Sequence, residues 1–364
     1  MFPWNTFQVR ASTAASVFGV RVVLADPPAY TPYYDHELAT ALAAAGADVE
    51  LVTSRFRFAE LPRPDGYRRA ELFYPLSSRL FRRSRLRVPL KAAEHPLGMV
   101  RLRRRAADIV HLQWLSVPQV DARLLGFRTP SVFTAHDLLP RRTASKLDLW
   151  KRILASFDAV VVHSQRGREM LGALGVDARV IPLPIETTNV ERRDDGRTLL
   201  FFGVIRAYKG LSDALAVVRR LPDARLLVAG DPVDPVSRDE TERVEWRLGY
   251  LPESEVVRAL SESTVALFPY RPELDQSAAL AKALGAGVPA ICYDVGGIAE
   301  PVKRFGAGRA VPPGDVVALT EAARELLDDS GALARAREGA RRAAEALTWS
   351  ASAQAHLALY RELT

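Results

Sequence analysis

The chain has 364 residues, of which 48% are hydrophobic, and a formal net charge of +7. This length is too great for one ordinary core and predicts two domains of roughly 150–200 residues each. No apolar run approaches the roughly 18 residues that span a bilayer, and a lone cysteine, Cys292, excludes an intrachain disulfide. We therefore expect a soluble protein of the reducing cytoplasm.

The amino-terminal half alternates short β-branched runs with helix-like segments. Residues 1–19 lack the basic start and long apolar block of a signal peptide, and we expect a loose tail there. From residue 20 onward, the alternation is typical of a parallel sheet covered by helices on both faces. The predicted strands of this half are 21–25, 49–53, 109–112, 131–135, 159–163 and 179–182.

The polar, acidic stretch 186–197 interrupts this alternation, and we interpret it as a linker. A second series follows it, with a helix predicted at 277–287 and an entirely helical segment at 315–364. The predicted strands of the second half are 198–203, 225–230, 244–249, 264–269, 289–293 and 308–311.

Two such series predict two doubly wound α/β domains in tandem. Ligands of such domains bind outside the carboxyl ends of the strands, so a cleft between the two domains is expected. We place the first domain at 20–187, the second at 188–347 and a final helix at 348–364.

Several common catalytic motifs are absent from the sequence. The six histidines form no HExxH set, the lone cysteine excludes a thiolate metal site, and no GxSxG elbow is present. The segment 203–210 lacks the GK[ST] ending of a phosphate-binding P-loop, and 285–290 lacks the third glycine of a dinucleotide fingerprint. Hydrolase, P-loop and dehydrogenase functions are disfavoured, and we expect no metal.

Two fixed positive charges follow the first strand of the second half, in 201-FFGVIRAYKG-210. If Gly203 ends that strand, Arg206 and Lys209 project into the cleft between the domains. Two cations there are costly unless an anion binds, and a diphosphate suits them. The alternative is a solvated loop.

A second anion-binding feature is predicted at the start of the helix in 269-PYRPELDQSAALAKALGAGVP-289. The first free N–H groups of this helix belong near Ser277, Ala278 and Ala279. Helix N-termini bind phosphate through such N–H groups and the helix dipole, and small side chains allow close approach. The alternative is that these alanines serve only helix packing.

These motifs resemble a known family. The pattern FFGxIRxYKG, then LLVAGDP, then PYR…QS…A…GAGVPxIxxDVGGIxE is similar to the carboxyl-terminal domain of the retaining GT-B glycosyltransferases of family GT4. The segments 108–114, 133–141 and 159–164 resemble the acceptor-side domain of that family, and 348–363 resembles its final crossing helix. The resemblance runs from about residue 20 to the end and implies two Rossmann-like domains facing a central cleft.

The resemblance also implies roles for individual residues. Arg206 and Lys209 would bind the donor diphosphate and stabilise the leaving group, and His136 would lie near the donor sugar as a catalytic residue unless it is only a core histidine. Asp294, Gly296 and Gly297 would form the pocket floor. The implied donor-binding residues are Gly203, Arg206, Lys209, Tyr250, Leu251, Gln276, Ser277, Ala278, Ala279, Lys282 and Glu300. The implied acceptor-side residues are Tyr33, Tyr34, His136 and Asp137.

The sequence departs from the family pattern at two places. The family's paired glutamates, with seven residues between them, fall at Leu274 and Lys282, although Glu273 and Asp275 flank the first position. The second glutamate accepts the ribose hydroxyls of the donor, which an ammonium group without acceptor atoms cannot do. The first loop, 27–37, also lacks the family's usual glycines.

We expect a retaining, metal-independent glycosyltransferase that moves a sugar from a nucleotide-diphosphate sugar to an acceptor hydroxyl of a glycan or lipid-linked acceptor. It would serve polysaccharide, glycolipid or other glycoconjugate synthesis, with no cofactor besides the donor and no nucleic-acid partner. The alternatives are a GT-B-type UDP-sugar 2-epimerase, and a non-catalytic, transferase-like binding subunit. The epimerase would need cleft carboxylates and histidines, of which the sequence offers few.

Positive charge is concentrated in residues 79–105, which contain ten Lys or Arg residues and one acid, Glu94, for a net of +9. Since the chain totals +7, the remainder sums to about −2. Apolar residues are interspersed, and we predict that this segment holds the first domain against an anionic membrane surface on the cytoplasmic side. The alternative is a solvated face of two helices, because Pro89 and Pro96 would break a long amphipathic helix.

Overall fold

A computed structural model describes residues 19–57, 59–79, 87–138, 145–236, 242–271 and 276–364. Three sequence-based predictions fall outside these ranges: the tail as far as residue 18, the basic residues 80–86, and the acids flanking position 274. Within the described ranges the chain forms two parallel sheets with helices on both faces, as predicted.

The first sheet has seven parallel strands in the order β3-β2-β1-β4-β5-β6-β7. The strands are β1 (Arg21–Asp26), β2 (Asp48–Ser54), β3 (Arg68–Phe73), β4 (Ile109–Leu112), β5 (Ser131–Thr134), β6 (Ala159–Val162) and β7 (Ala178–Val180). The helices are α1 (Pro32–Ala44), α2 (Arg87–Arg103), α3 (Pro118–Leu124), α4 (Leu147–Leu154) and α5 (Gln165–Gly172).

The second sheet has six parallel strands in the order β10-β9-β8-β11-β12-β13. The strands are β8 (Thr198–Phe202), β9 (Arg225–Gly230), β10 (Val244–Leu248), β11 (Val265–Phe268), β12 (Ala290–Tyr293) and β13 (Gly308–Val311). The helices are α6 (Leu211–Arg220), α7 (Glu253–Glu262), α8 (Ala278–Gly285) and α9 (Ala299–Phe305).

In each sheet the strand order reverses once, between β1 and β4 and between β8 and β11. Loops leaving the two strands at such a reversal diverge to opposite faces and open a crevice at the carboxyl ends. The loop after β8 contains Arg206 and Lys209, and the loop after β5 contains His136. The topology therefore brings Arg206 and Lys209 to the reversal point of the second sheet, and His136 to the strand next to the reversal point of the first sheet.

Strand β3 is absent from the sequence-based prediction, which had six strands in the first half. Its sequence, RRAELF, forms the edge of the sheet beyond β2, and only Phe73 at its end is fully buried. An edge strand with partly exposed faces needs no continuous apolar run, so the pattern used to find the other strands misses it.

The expectation that prolines interrupt the basic segment is wrong, because α2 continues from Arg87 to Arg103. Pro89 lies in the first turn, where a helix has no N–H bond to lose. Pro96 removes one bond inside the helix, and packing holds the helix around it. The Glu94 carboxylate accepts backbone hydrogen bonds at 2.7 and 3.0 Å, and a Cβ on Gly98 would lie only 2.4 Å from the Phe73 ring.

The carboxyl-terminal segment is helical, as predicted: α10 (Val316–Asp328), α11 (Ser330–Ala346) and α12 (Trp349–Leu363). Helices α10 and α11 pack on the second domain. Helix α12 returns to the first domain, where it lies against α1 and buries Ala353, Leu357 and Tyr360. The Tyr360 hydroxyl lies 2.6 Å from Nδ1 of His111 in β4. No helix in the described ranges combines the length and apolar character required to cross a bilayer.

Candidate functional site

The loops that leave β8, β9 and β11 are packed tightly together at the reversal point of the second sheet. A Cβ on Gly230 would lie 1.9 Å from the carbonyl oxygen of Gly203, and a Cβ on Gly210 would lie 2.1 Å from that of Pro269. Both glycines have positive φ, at 148° and 73°. Only glycine permits this backbone approach, so these loops form a fixed surface rather than independent turns.

Arg206 and Lys209 lie on this surface, at either end of a 3-10 turn, Ala207–Lys209. The Lys209 ammonium is half-buried and lies 5.1 Å from the centre of the Tyr270 ring. Burial, and secondly the positive charge of Arg206, lower the pKa of Lys209 to about 8. The two cations are thus close enough to affect each other, as expected for residues that share one anion.

Helix α8 begins beside these cations. Ser277 is its N-cap, with the hydroxyl accepting a hydrogen bond from the Leu280 N–H at 3.2 Å. The N–H groups of Ala278 and Ala279, in the first turn, have no intrahelical partner. The Ala279 methyl group is 3.2 Å from where a Cβ on Gly203 would be. The structure therefore brings the two predicted anion-binding features together.

Lys282 lies further along α8, and its ammonium contacts both carboxylate oxygens of Glu253, at 2.7 and 2.8 Å. Glu253, the first residue of α7, was not identified from the sequence. It follows the segment 249–252, in which the Tyr250 side chain is 72% exposed. Across the cleft, burial and then interaction with Tyr250 raise the pKa of Tyr33. An acid is thus present beside the lysine, although none occupies position 282 itself.

Glu300 lies between the two domains. Its carboxylate oxygens accept hydrogen bonds from the backbone N–H groups of Gln165 and Arg166, at 3.1 and 2.9 Å, at the start of α5 in the first domain. A carboxylate at a helix N-terminus is favoured by the helix dipole. Both oxygens of this predicted donor-binding residue are therefore engaged in a contact that joins the domains across the cleft.

A pocket of about 80 Å³ lies next to this contact, between α8 and the first domain. Gln276, Ser277 and Gly297 line one side of it, and His163 lines the other. The Gln276 side-chain oxygen is buried and has no hydrogen-bond partner among the described residues. Asp294, predicted for the pocket floor, is bound at 2.9 Å by Lys303 and is absent from this lining.

On the first domain, side chains that follow β4, β5 and β6 meet at the cleft. Nε2 of His136 lies 2.9 Å from the Gln113 amide, and Nδ1 of His136 lies 3.3 Å from Nε2 of His163. The imidazole of His136 stacks on Trp114 and meets Tyr34 edge to face. The predicted catalytic histidine thus has protein partners on both ring nitrogens and is held between two aromatic rings.

The three histidines near the cleft, His111, His136 and His163, are neutral near pH 7. Burial lowers the pKa of His163 to about 4 and holds the pKa of His136 and of His111 well below the ordinary value. Positive charge on neighbouring imidazoles is the next cause for His136 and His111. A buried cluster of this kind cannot hold several protons at once.

The remaining acceptor-side predictions differ in exposure. Tyr33 and Asp137 are exposed at the cleft, whereas the Tyr34 hydroxyl is buried and has no partner among the described residues. Two acids also lie beneath the loop after β1. Asp26 and Asp35 are buried, and desolvation raises the pKa of both carboxyl groups. Within the described ranges, no three His, Cys, Asp or Glu side chains are arranged to hold a metal ion.

Comparisons with known proteins agree with this arrangement. A sequence model described as Glycosyltransferase Family 4 matches residues 34–189, and one described as Glycosyl transferases group 1 matches residues 196–329. The two models therefore cover every strand of the two sheets except β1. The two halves of the chain thus match models of glycosyltransferase families, and together they identify a GT4-like glycosyltransferase of the GT-B type. The resemblance predicted from the sequence is confirmed.

Among curated relatives of this glycosyltransferase, glycogen synthase of Mycobacterium tuberculosis is 31% identical over 178 residues, covering 45% of this chain and 43% of the relative. The 2-deoxystreptamine glucosyltransferase of Streptomyces kanamyceticus is 27% identical over 248 residues, or 63% of each chain. The chain thus aligns with less than two thirds of the length of each of these relatives.

Solved structures share the fold of this glycosyltransferase along nearly its whole length. Sucrose-phosphate synthase from Thermosynechococcus elongatus superposes with a TM-score of 0.77 at 22% identity, covering 94% of this chain and 99% of that one. The Anabaena protein HepE in complex with UDP-glucose superposes with a TM-score of 0.65 at 14% identity, covering 94% and 99%. The predicted GT-B fold is confirmed.

Proposed function

We propose that this protein is a retaining glycosyltransferase that uses a nucleotide-diphosphate sugar. The observation that carries the proposal is the juxtaposition of Arg206, Lys209 and the first turn of α8. We propose that these groups together form one site for a dianion. A diphosphate between them would gain charged hydrogen bonds and the helix dipole. The retaining stereochemistry rests on the resemblance to the GT4 family.

In this proposal the same groups stabilise the leaving group. Negative charge builds on the diphosphate as its bond to the sugar breaks, and fixed donors aimed at that charge stabilise the transition state more than the ground state. The Lys209 ammonium is suited to this role because burial has already removed part of its hydration. The reaction is proposed to need no metal ion.

We further propose that the pair Lys282–Glu253 reads the donor nucleoside beside Tyr250 and Leu251. The ammonium uses its donors on Glu253, and this leaves carboxylate lone pairs that face away from the lysine. Carboxylates commonly accept hydrogen bonds from ribose hydroxyls in nucleotide sites. Glu253 would then supply the acceptor that the family has at position 282.

On the other side of the cleft, Tyr33, Asp137 and the His136 group would bind the acceptor and the donor sugar. The Streptomyces relative is named for a glucosyl transfer to 2-deoxystreptamine, and HepE was solved with UDP-glucose. These names support a sugar donor and a hydroxyl-bearing acceptor as the classes to test. A glycan or a lipid-linked acceptor remains our proposal.

A screen of nucleotide sugars tests the proposed function. Thermal shift and donor consumption should be measured with UDP-, GDP-, ADP- and TDP-sugars, each with and without excess EDTA. We expect one nucleotide class to stabilise the protein and to be consumed, with turnover that survives EDTA. Interconversion of the sugar at C2 without transfer would instead show an epimerase, and binding without consumption would show a non-catalytic subunit.

We propose specific residues for the predicted membrane contact. Leu97, Val100 and Arg101 on α2, and Arg104 just past its end, follow the spacing of one helix face, and all four are exposed. Apolar side chains flanked by arginines suit the interface of an anionic bilayer. We propose that this face brings the first domain to lipid-linked acceptors on the cytoplasmic side of the membrane.

Vesicle co-sedimentation tests this face. Because each basic residue near an anionic surface contributes on the order of 1 kcal/mol, Arg101→Gln/Arg104→Gln should weaken binding to anionic vesicles by roughly tenfold or more at low salt. A matched control, Arg220→Gln/Arg225→Gln on the second domain, should bind like the parent. Equal binding of the parent to neutral and anionic vesicles would exclude the electrostatic attraction, as would equal binding of both double variants.

A further inference from the structure

We propose that His163 is a positioning residue: through a hydrogen-bond chain of one fixed direction, it holds His136 in a single tautomer and orientation. Nothing in the sequence motifs assigned His163 a role. The structural part of the proposal stands on contacts within the first domain, and its kinetic consequence rests on the proposed function.

The direction of the chain is set at one end by a backbone carbonyl. Nδ1 of His163 lies 2.8 Å from the carbonyl oxygen of Ile181, which can only accept. Nδ1 of His163 is therefore the protonated nitrogen. Since the buried ring is neutral at pH 7, its Nε2 carries a lone pair, and that lone pair faces Nδ1 of His136 at 3.3 Å.

The next links follow from this first one. Nδ1 of His136 must carry the proton that His163 accepts, so Nε2 of the neutral His136 ring is itself an acceptor. The structure places the Gln113 amide oxygen 2.9 Å from that atom, so the hydrogen-bond chain requires the half-turned amide, with its NH₂ group there. This is one of the two orientations related by a half-turn of the amide, and the hydrogen-bond network selects it.

The other end of the hydrogen-bond chain, at His111 and Tyr360, is compatible with this direction. The Gln113 amide nitrogen lies 3.2 Å from Nε2 of His111 in the structure, and the half-turn that brings the NH₂ group to His136 puts the amide oxygen in its place. His111 donates from Nε2, where Thr134 also lies at 2.7 Å, and accepts at Nδ1 from the Tyr360 hydroxyl. Each link from Tyr360 to Ile181 then pairs one donor with one acceptor.

The opposite assignment of donors and acceptors along the hydrogen-bond chain is unfavourable. If His136 donated from Nε2 to Gln113, its Nδ1 lone pair would face the lone pair of His163. Turning His163 to its other tautomer would remove that clash and would leave the Ile181 carbonyl facing a second lone pair. A buried polar atom without a partner is costly, so the first arrangement is favoured.

The consequence for the site is a neutral, immobile imidazole between Trp114 and Tyr34. His136 offers substrate no N–H group, because its only proton is committed to His163. Its Nε2 lone pair can be reached only by a hydroxyl that displaces the Gln113 amide. The hydrogen-bond chain therefore leaves His136 able to accept a hydrogen bond from a sugar hydroxyl but unable to act as a general acid.

Two replacements of His163 separate positioning from simple packing. Asn places an amide nitrogen near the Nδ1 position and keeps the bond to Ile181, but it does not reach His136. Gln extends an amide oxygen to the Nε2 position and keeps the acceptor for His136. We expect His163→Gln to stay within about threefold of the parent in kcat, and His163→Asn to lose roughly tenfold in kcat, with a smaller change in donor KM. If Asn matched Gln or exceeded it, the positioning role would be excluded.

A second measurement does not depend on turnover. Long-range ¹H–¹⁵N spectra of histidine-labelled protein distinguish the two neutral tautomers of each ring. We expect the Nδ1–H tautomer for His136 and His163 in the parent, and a mixture or change for His136 in His163→Asn. Nε2–H on His136 in the parent would overturn the proposal. If no nucleotide sugar is consumed, the proposed function is wrong. The spectra still test the direction of the hydrogen-bond chain, because they do not depend on activity.

Discussion

Replacing Lys209 or Arg206 by alanine is expected to lower kcat/KM for the donor by roughly 10- to 150-fold, because each side chain makes a charged hydrogen bond worth roughly 1.5–3 kcal/mol. The two cations lie on one rigid loop beside the first turn of α8. Steady-state kinetics with the donor identified by the screen measures the effect. Arg220→Ala, an exposed arginine on α6, is the matched control.

The same residues predict a pH dependence. The pKa of Lys209 is lowered to about 8 from a usual value near 10.5, so the free enzyme loses this charge as pH rises through 8. We expect kcat/KM to fall above about pH 8 and, in Arg206→Ala, to fall only at a higher pH, because one cause of the lowered pKa is removed. Unchanged kinetics in both alanine variants would refute the diphosphate site.

The stability of the free protein should change in the opposite sense. Between about pH 8 and the usual lysine pKa near 10.5, the unfolded chain binds the proton at Lys209 and the folded chain does not. Burial of the charged lysine therefore lowers the free energy of unfolding fully below about pH 8. This cost is relieved, and the folded state becomes more stable, as pH rises through that window. A bound diphosphate removes the cost by pairing with the ammonium.

Lys282→Glu is expected to produce the second large loss. It would place a carboxylate next to that of Glu253, where the parent has an ion pair with contacts of 2.7 and 2.8 Å. Two adjacent carboxylates repel each other and the donor diphosphate, so donor KM should rise and kcat should fall. Lys282→Ala should lose less, because it leaves Glu253 unpaired but adds no negative charge.

The charge-swapped variant Lys282→Glu/Glu253→Lys is the control for this site. It restores one acid and one base, and it puts the acid at the position where the family has one. We expect it to recover much of the activity that Lys282→Glu loses. If Lys282→Glu alone matched or exceeded the parent, the lysine would be a lost ribose contact and its proposed role in donor binding would be wrong.

The sequence predicted the fold well because the central strands are buried on both faces. Runs such as 225–230 and 289–293 have no polar alternation, and only a parallel sheet covered by helices explains them. The donor loop was also predictable, since Gly203, Arg206 and Lys209 lie within seven consecutive residues. Residues that are close in sequence at the end of one strand stay close in the structure.

Other parts of the site depend on contacts between distant segments, which no local pattern contains. Glu253 becomes relevant only because α7 brings it to Lys282, 29 residues further along the chain. Likewise, Gln113, His136 and His163 follow three different strands and meet because those strands are neighbours in the sheet. Their shared signal is modest: each polar side chain comes directly after a short apolar run.

Helix α12 imposes an order on how the protein is made. It follows the whole second domain in the chain, yet it covers the face of the first domain formed by α1, β1 and β4. During synthesis that apolar face must stay open until residues 349–363 have been added. The first domain is therefore the last to complete its core. Until then its exposed apolar face can aggregate or bind chaperones.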